Sequence, residues 1–195
     1  MRFPSVTLRL PDWIGEVIAD PDLTYPTIED RMRLAVELSR ESSHRGTGGP
    51  FGAAIFDRET NKLLAPGVNL VLSSGYSFAH AEMVAIMVAQ QLVGDFDLGG
   101  EGQPSYELVA STEPCSMCFG AIPWPGVRHL VRGARDDDAE EIGFDEGMKP
   151  ADWVGSLEER GISVERDVLR DEAASVLREY AEGGGEIYNA RQGGL

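Results

Sequence analysis

The sequence predicts an α/β domain of three layers, with a five-stranded sheet between helices. Three observations point there. Short apolar runs of strand length recur five times along the chain, and segments with helical spacing fall between them. Glycine- and proline-rich phrases mark the boundaries. The chain has 195 residues and is 42% hydrophobic, enough for one sizeable core. That core is assigned to residues 26–182, preceded by an arm (residues 1–25) and followed by a tail (residues 183–195).

The arm is proline-rich, with Pro4, Pro11 and Pro21, and reads as irregular. Thr27 opens the first helix, with Asp30 three positions on as a variant of the capping box. Ile28, Met32, Ala35, Val36 and Ser39 then form a stripe at helical spacing, which stops before Gly46-Thr47-Gly48-Gly49-Pro50. Residues 51–57 read as a buried strand. Asn61-Lys62 reads as a turn, and residues 63–72 as a second strand kinked at Pro66-Gly67. Residues 80–92 are apolar almost all round, which predicts an enclosed helix. Residues 107–111 form a third strand. Residues 115–122 form a short helix, ended by Pro123-Trp124-Pro125-Gly126, and residues 127–134 a fourth strand. The acidic run Asp136-Asp137-Asp138 with Glu140-Glu141 reads as a solvated loop. A helix over 152–160, a fifth strand over 162–169 and a helix over 171–182 complete the domain. Gly183 to Gly185 release the tail.

Lys and Arg number 17 against 33 Asp and Glu, a net charge of −16. That field repels phosphate backbones, and no basic cluster offsets it, so no nucleic-acid partner is expected. No apolar run of about 18 residues spans a membrane, and the N-terminus lacks a signal-peptide pattern. The only two cysteines lie three apart, so they cannot build a disulfide framework. A reducing, cytoplasmic setting is the expectation.

Both cysteines sit in Pro114-Cys115-Ser116-Met117-Cys118, downstream of His80-Ala81-Glu82. H-x-E followed by P-C-x-x-C is the signature of zinc deaminases. If Cys115 and Cys118 begin a helix they share a face and can grip one ion. With His80 they offer three ligands, whereas a structural zinc takes four, so one position stays open for water. Zinc brings the pKa of such a water towards about 7. Glu82 is too close to His80 to ligate with it and is instead placed to carry protons. His44 and His129 sit in a polar helix end and a strand, and read as non-ligands. A C-x-x-C pair alone also suits a redox pair or half of a structural zinc site. The order histidine-helix, strand, cysteine-helix favours catalysis.

From about residue 30 onwards the chain resembles the cytidine deaminase superfamily, and within it the bacterial guanine deaminases. The shared phrases are Gly48-Gly49-Pro50-Phe51-Gly52-Ala53, His80-Ala81-Glu82, Glu113-Pro114-Cys115-Ser116-Met117-Cys118 and Ile142-Gly143-Phe144-Asp145-Glu146. The last of these, with the tail Ile187-Tyr188-Asn189-Ala190, resembles the guanine branch. The resemblance implies a cytidine-deaminase-like fold with a mixed sheet and helices on both faces. It implies that Asn69 hydrogen-bonds the purine and that Phe51 and Trp124 flank the base. Ala81, Asp145 and Tyr188, within the same phrases, join the substrate contacts. Glu146 is implied as the second catalytic carboxylate, where some members carry the shorter aspartate. The tail is implied to cross to a partner subunit in a homodimer and cap its site. The expected reaction is zinc-dependent hydrolysis of guanine to xanthine and ammonia, with a zinc-bound hydroxide attacking and Glu82 and Glu146 shuttling protons. Alternatives are another aminated ring (cytosine, a pterin or an amino-triazine), a tRNA adenosine deaminase, and a zinc-stabilised binding protein without turnover. The charge and the tail oppose the tRNA reading, and Glu82 opposes the last.

Overall fold

The structure, a computed structural model, describes residues 3–20 and 22–189. Five strands form one sheet: β1 (Gly52–Asp57), β2 (Lys62–Val68), β3 (Tyr106–Thr112), β4 (His129–Ala134) and β5 (Ser163–Glu165), in the order β2-β1-β3-β4-β5. β1 runs antiparallel to β2 and β3, while β3, β4 and β5 are parallel. The sheet is therefore mixed, as expected. The parallel half needs crossovers, and helices supply them: α5 (Ser116–Ala121) joins β3 to β4, and α6 (Asp136–Glu141) and α7 (Trp153–Glu158) join β4 to β5.

Side chains alternate across the sheet, as the period of two demands. Ala54, Phe56, Val109 and Val131 face one core, which α2 (Ile28–His44) and α8 (Arg170–Glu182) cover. Ala53, Ile55, Leu108 and Leu130 face the other, which α4 (Ala81–Val93) covers, with Ile122 and Leu157 beside it. α2 starts with the reciprocal box foreseen from sequence: Asp30 N donates to Thr27 Oγ1 at 3.1 Å and Thr27 N to Asp30 Oδ2 at 3.3 Å.

The arm is held down. It carries a turn of helix, α1 (Ile14–Val17), and Trp13 and Ile14 are buried in the core beside α2. Trp13 Nε1 donates to Thr47 Oγ1 at 2.9 Å, and Thr24 bridges to Lys62 at the sheet edge.

Three readings are corrected. The second strand, expected to reach residue 72, ends at Val68, because the Asn69 side-chain Oδ1 accepts from Val71 N at 3.1 Å. That side-chain turn competes with the ladder and starts α3 (Val71–Ser74). The fifth strand keeps only three of the eight residues expected over 162–169. Asp167 and Leu169 adopt positive φ, and the Asp167 carboxylate is drawn out of line by Arg132 and Arg135. The acidic run is not a solvated loop. It forms α6, where Asp138 caps Arg135 N at 2.7 Å and receives Arg170 at 2.8 Å, while Asp136 turns inward to Lys149 at 2.8 Å.

Among the described residues, no helix is long and apolar enough to cross a membrane.

Candidate active site

The site lies at the carboxyl end of β3, where the starts of α4 and α5 meet the Phe51 turn that leads into β1. His80 is the residue before α4, held extended at φ −71°, ψ 157°. Its loop is pinned by Leu70 N to Ala79 O at 2.8 Å and Ala79 N to Tyr76 O at 3.0 Å. Cys115 occupies the same place before α5, and Pro114 holds the preceding residue extended. Phe119 N closes on Cys115 O at 2.8 Å, which sets Cys118 one turn further on the same face. Both cysteines are buried and neither forms a disulfide.

His80 Nδ1 lies 3.5 Å from Cys115 Sγ and 3.7 Å from Cys118 Sγ. Zinc–sulfur and zinc–nitrogen bonds of about 2.3 and 2.05 Å at a tetrahedral angle place the two donors about 3.6 Å apart. The three donor atoms all lie within 4.8 Å of one another, the spread that one ion requires. The residues present therefore fit zinc, with three ligands and an open fourth direction. His44 and His129 stay outside this cluster. His129 contacts Ser163 and Glu107 at the far end of the sheet.

The electrostatics follow from burial and the sulfurs. The Cys115 thiol is drawn down to about 4, first by the Cys118 thiol donating to it, with His80 adding to the pull against burial. Cys118 is pushed up by the same pairing and by burial, so the two sulfurs share one proton until a cation displaces it. Burial alone would lower His80, yet its bond to Cys115 and the Glu82 charge leave it raised. Burial, then the Cys115 charge, raises Glu82. Burial pushes Glu146 up to about 9, with Cys115, Asp136 and Glu82 adding to it. Two carboxyls whose proton affinity is raised thus stand beside a paired thiolate.

A cavity of about 400 Å³ opens onto this cluster. It is lined by His80, Glu82, Cys115 and Glu146, and by Phe51, Asn69, Asp145 and Tyr188. Asn69 is 1% exposed, and its oxygen is committed to Val71 N. Phe51 meets Phe144 edge-on at 4.9 Å, and Tyr188 meets the same ring at 5.3 Å, giving one wall of aromatic edges and faces. The Asp145 turn is fixed by Gly147 N donating to Asp145 Oδ1 at 3.0 Å. Two expected contacts are not brought in. Trp124 is 82% exposed and does not line the cavity, because the turn after α5 carries it outward. Ala81 is buried in the α4 core, where its carbonyl packs against Gly67.

The tail reaches this chain's own cavity. Asn189 Oδ1 accepts from Asp145 N at 3.0 Å, and Asn189 Nδ2 donates to Gly143 O at 2.9 Å. Ala190 lies outside the described residues. The sequence reading missed Glu113, Asp136 and Lys149, which join in a buried cluster behind Cys115. Lys149 carried a signal: it is the single basic residue between Asp136 and Asp152, amid eight acids.

A guanine deaminase of Bacillus subtilis is 37% identical over 134 residues, 69% of this chain and 81% of that protein. The solved structure of a guanine deaminase from Nitrosomonas europaea is 44% identical, with a TM-score of 0.87 over 91% of this chain and 97% of that one. A further structure, solved in complex with 2,6-diaminopurine, is 46% identical with a TM-score of 0.87, covering 95% and 97% of the two chains. Residues 26–134 match the family described as the cytidine and deoxycytidylate deaminase zinc-binding region, and the chain belongs to that family.

Proposed function

We propose that this chain hydrolyses guanine to xanthine and ammonia. The observation that carries the reading is a second buried carboxyl, Glu146, facing the same aromatic-walled cavity as Glu82, His80 and Cys115. The likeness to guanine deaminases supports the same ring.

His80, Cys115 and Cys118 would hold zinc, which when bound would supply a water acidic enough to attack near neutral pH. Glu82 carries a proton from the attacking water to the purine ring nitrogen beside the 2-amino carbon. Its burial favours a held proton, which suits a group that must both accept and donate. Glu146 serves the departing amine, which leaves as ammonia when the carbon gains its oxygen. One carboxyl cannot face the ring nitrogen and the amine on its far side together, which gives the second a task. Asn69 and the backbone around it orient the ring edge, while Phe51, Phe144 and Tyr188 exclude water.

The tail acts as a cap in this reading, and in a cytoplasmic homodimer the contacts that Tyr188 and Asn189 make within one chain would be made across to the partner copy. Gly184, at φ 76°, turns the chain out of α8 where the tail begins.

The test is a panel of guanine, cytosine, adenine and an amino-triazine with zinc-loaded protein, followed by ultraviolet absorbance and ammonia release. Guanine is expected to turn over fastest. Preference for cytosine or the triazine would keep the chemistry and replace the substrate, and no ammonia from any ring would reject the enzyme.

A further inference from the structure

The two turns that carry the site, residues 113–117 and residues 144–149, are separate in sequence and tied together in space. Ser116 N donates to Glu146 O at 2.8 Å. Gly147, at φ 71°, lies so close to Ser116 that a Cβ there would meet Ser116 Oγ at 2.3 Å. Behind both turns, Lys149 is 6% exposed. Its ammonium donates to Pro114 O at 2.7 Å, Glu113 Oε1 at 2.9 Å and Asp136 Oδ1 at 2.8 Å. An ammonium has three donors, and here all three are committed. One of them holds the carbonyl of the residue immediately before Cys115. The amine also rests over the Trp153 ring at 5.1 Å, which closes its remaining side. Glu113 is braced in turn by Arg132 Nε at 3.3 Å.

We propose that Lys149 is a positioning residue: it clamps the turn bearing Glu146 onto the turn bearing Cys115, so that ligand and proton carrier keep one spacing. It touches neither substrate nor metal. Its position three residues after Glu146 means that any slack in the amine's contacts moves that carboxyl. Its bond to Pro114 means that the same slack tilts the Cys115 sulfur. Groups that orient a metal site from behind contribute about 10- to 100-fold in metal affinity or activity.

The proposal rests on the deaminase reading for its activity arm and on the metal ligands alone for its binding arm. The test is Lys149→Met in the full chain, in the wild-type and the Glu146→Gln backgrounds, measured by chelator competition for zinc and by kcat and KM at saturating zinc. Zinc affinity is expected to fall about tenfold or more. In the wild-type background kcat is expected to fall by a similar factor with KM little changed. In the Glu146→Gln background the same substitution should cost much less in kcat, since one of the two groups it positions is already gone. Unchanged zinc affinity overturns the clamp, and so does an equal kcat loss in both backgrounds, which marks a general structural defect. If Lys149→Met does not fold, the cycle is run with Asp136→Ala, which leaves the amine two acceptors, Glu113 Oε1 and Pro114 O; a smaller loss with the same background dependence supports the clamp, and equal losses overturn it. Wild-type protein that turns over no ring would reject the deaminase reading, while the zinc arm still judges the clamp.

Discussion

Replacing Gly67 with alanine tests how the fold seats its histidine. Gly67 lies in β2 opposite Ala53, directly beneath the first turn of α4. A Cβ there would lie 2.2 Å from Ala81 O and 2.5 Å from Ala85 N, both backbone atoms. Ordinary contact distances are at least 3.4 Å, so the helix must retreat by about 1 Å, because backbone cannot swing aside as a side-chain tip can. Overpacking of this kind costs about 1–3 kcal/mol. In a domain of this size each kcal/mol shifts Tm by about 2–4 °C, which predicts a drop of roughly 2–12 °C. The retreat also moves His80, the residue at the start of α4, away from the two sulfurs. Metal-free thermal melts and zinc competition against a chelator read the two effects separately. If Gly67→Ala melts at the wild-type temperature and binds zinc with unchanged affinity, the close approach of β2 and α4 does not seat the histidine.

Other outcomes follow from the same geometry. Glu82→Gln should keep one zinc per chain by elemental analysis yet lower kcat by about 10²- to 10⁴-fold, the usual contribution of a positioned proton carrier. Ending the chain after Gly185 removes Tyr188 and Asn189 from the cavity, so a folded, zinc-loaded protein of low activity is expected. Mixing that truncation with the Glu82→Gln chain restores turnover if the tail is exchanged between copies, and does not if each chain caps itself. His129 is held down to about 4, first by burial and then by the Arg58 and Arg31 charges. The unfolded chain takes up that proton near pH 6.5 and the folded one only near 4, so stability present above 6.5 is lost as pH falls through this window. The difference is at most about 3 kcal/mol, and His129→Gln, compared with wild type by denaturant melts at pH 7 and pH 4.5, should flatten the slope; equal slopes would show that Glu107 and its arginines govern this end of the sheet instead.

The sequence by itself determined the chemistry of the metal cluster and the order of the layers. His80, Cys115 and Cys118 were legible because zinc ligation restricts residue type and because both phrases sit at helix starts, where turn chemistry is local. β1, β3 and β4 were legible as short, largely apolar runs, the pattern of strands buried on both faces. Where a side chain competes with the ladder, as at Asn69, or where charges pull an edge strand aside, as at Asp167, local pattern misplaced the strand ends. The acidic run read as solvated because composition carries no partner, and Lys149, which Asp136 faces, lies 13 residues further on. Trp124 shows the reverse: a stiff aromatic between two prolines has no inward direction until the turn around it is folded.

Only tertiary structure decided which charges are desolvated. Glu82 and Glu146 become buried by elements that are far apart in the chain, and that burial raises their proton affinity.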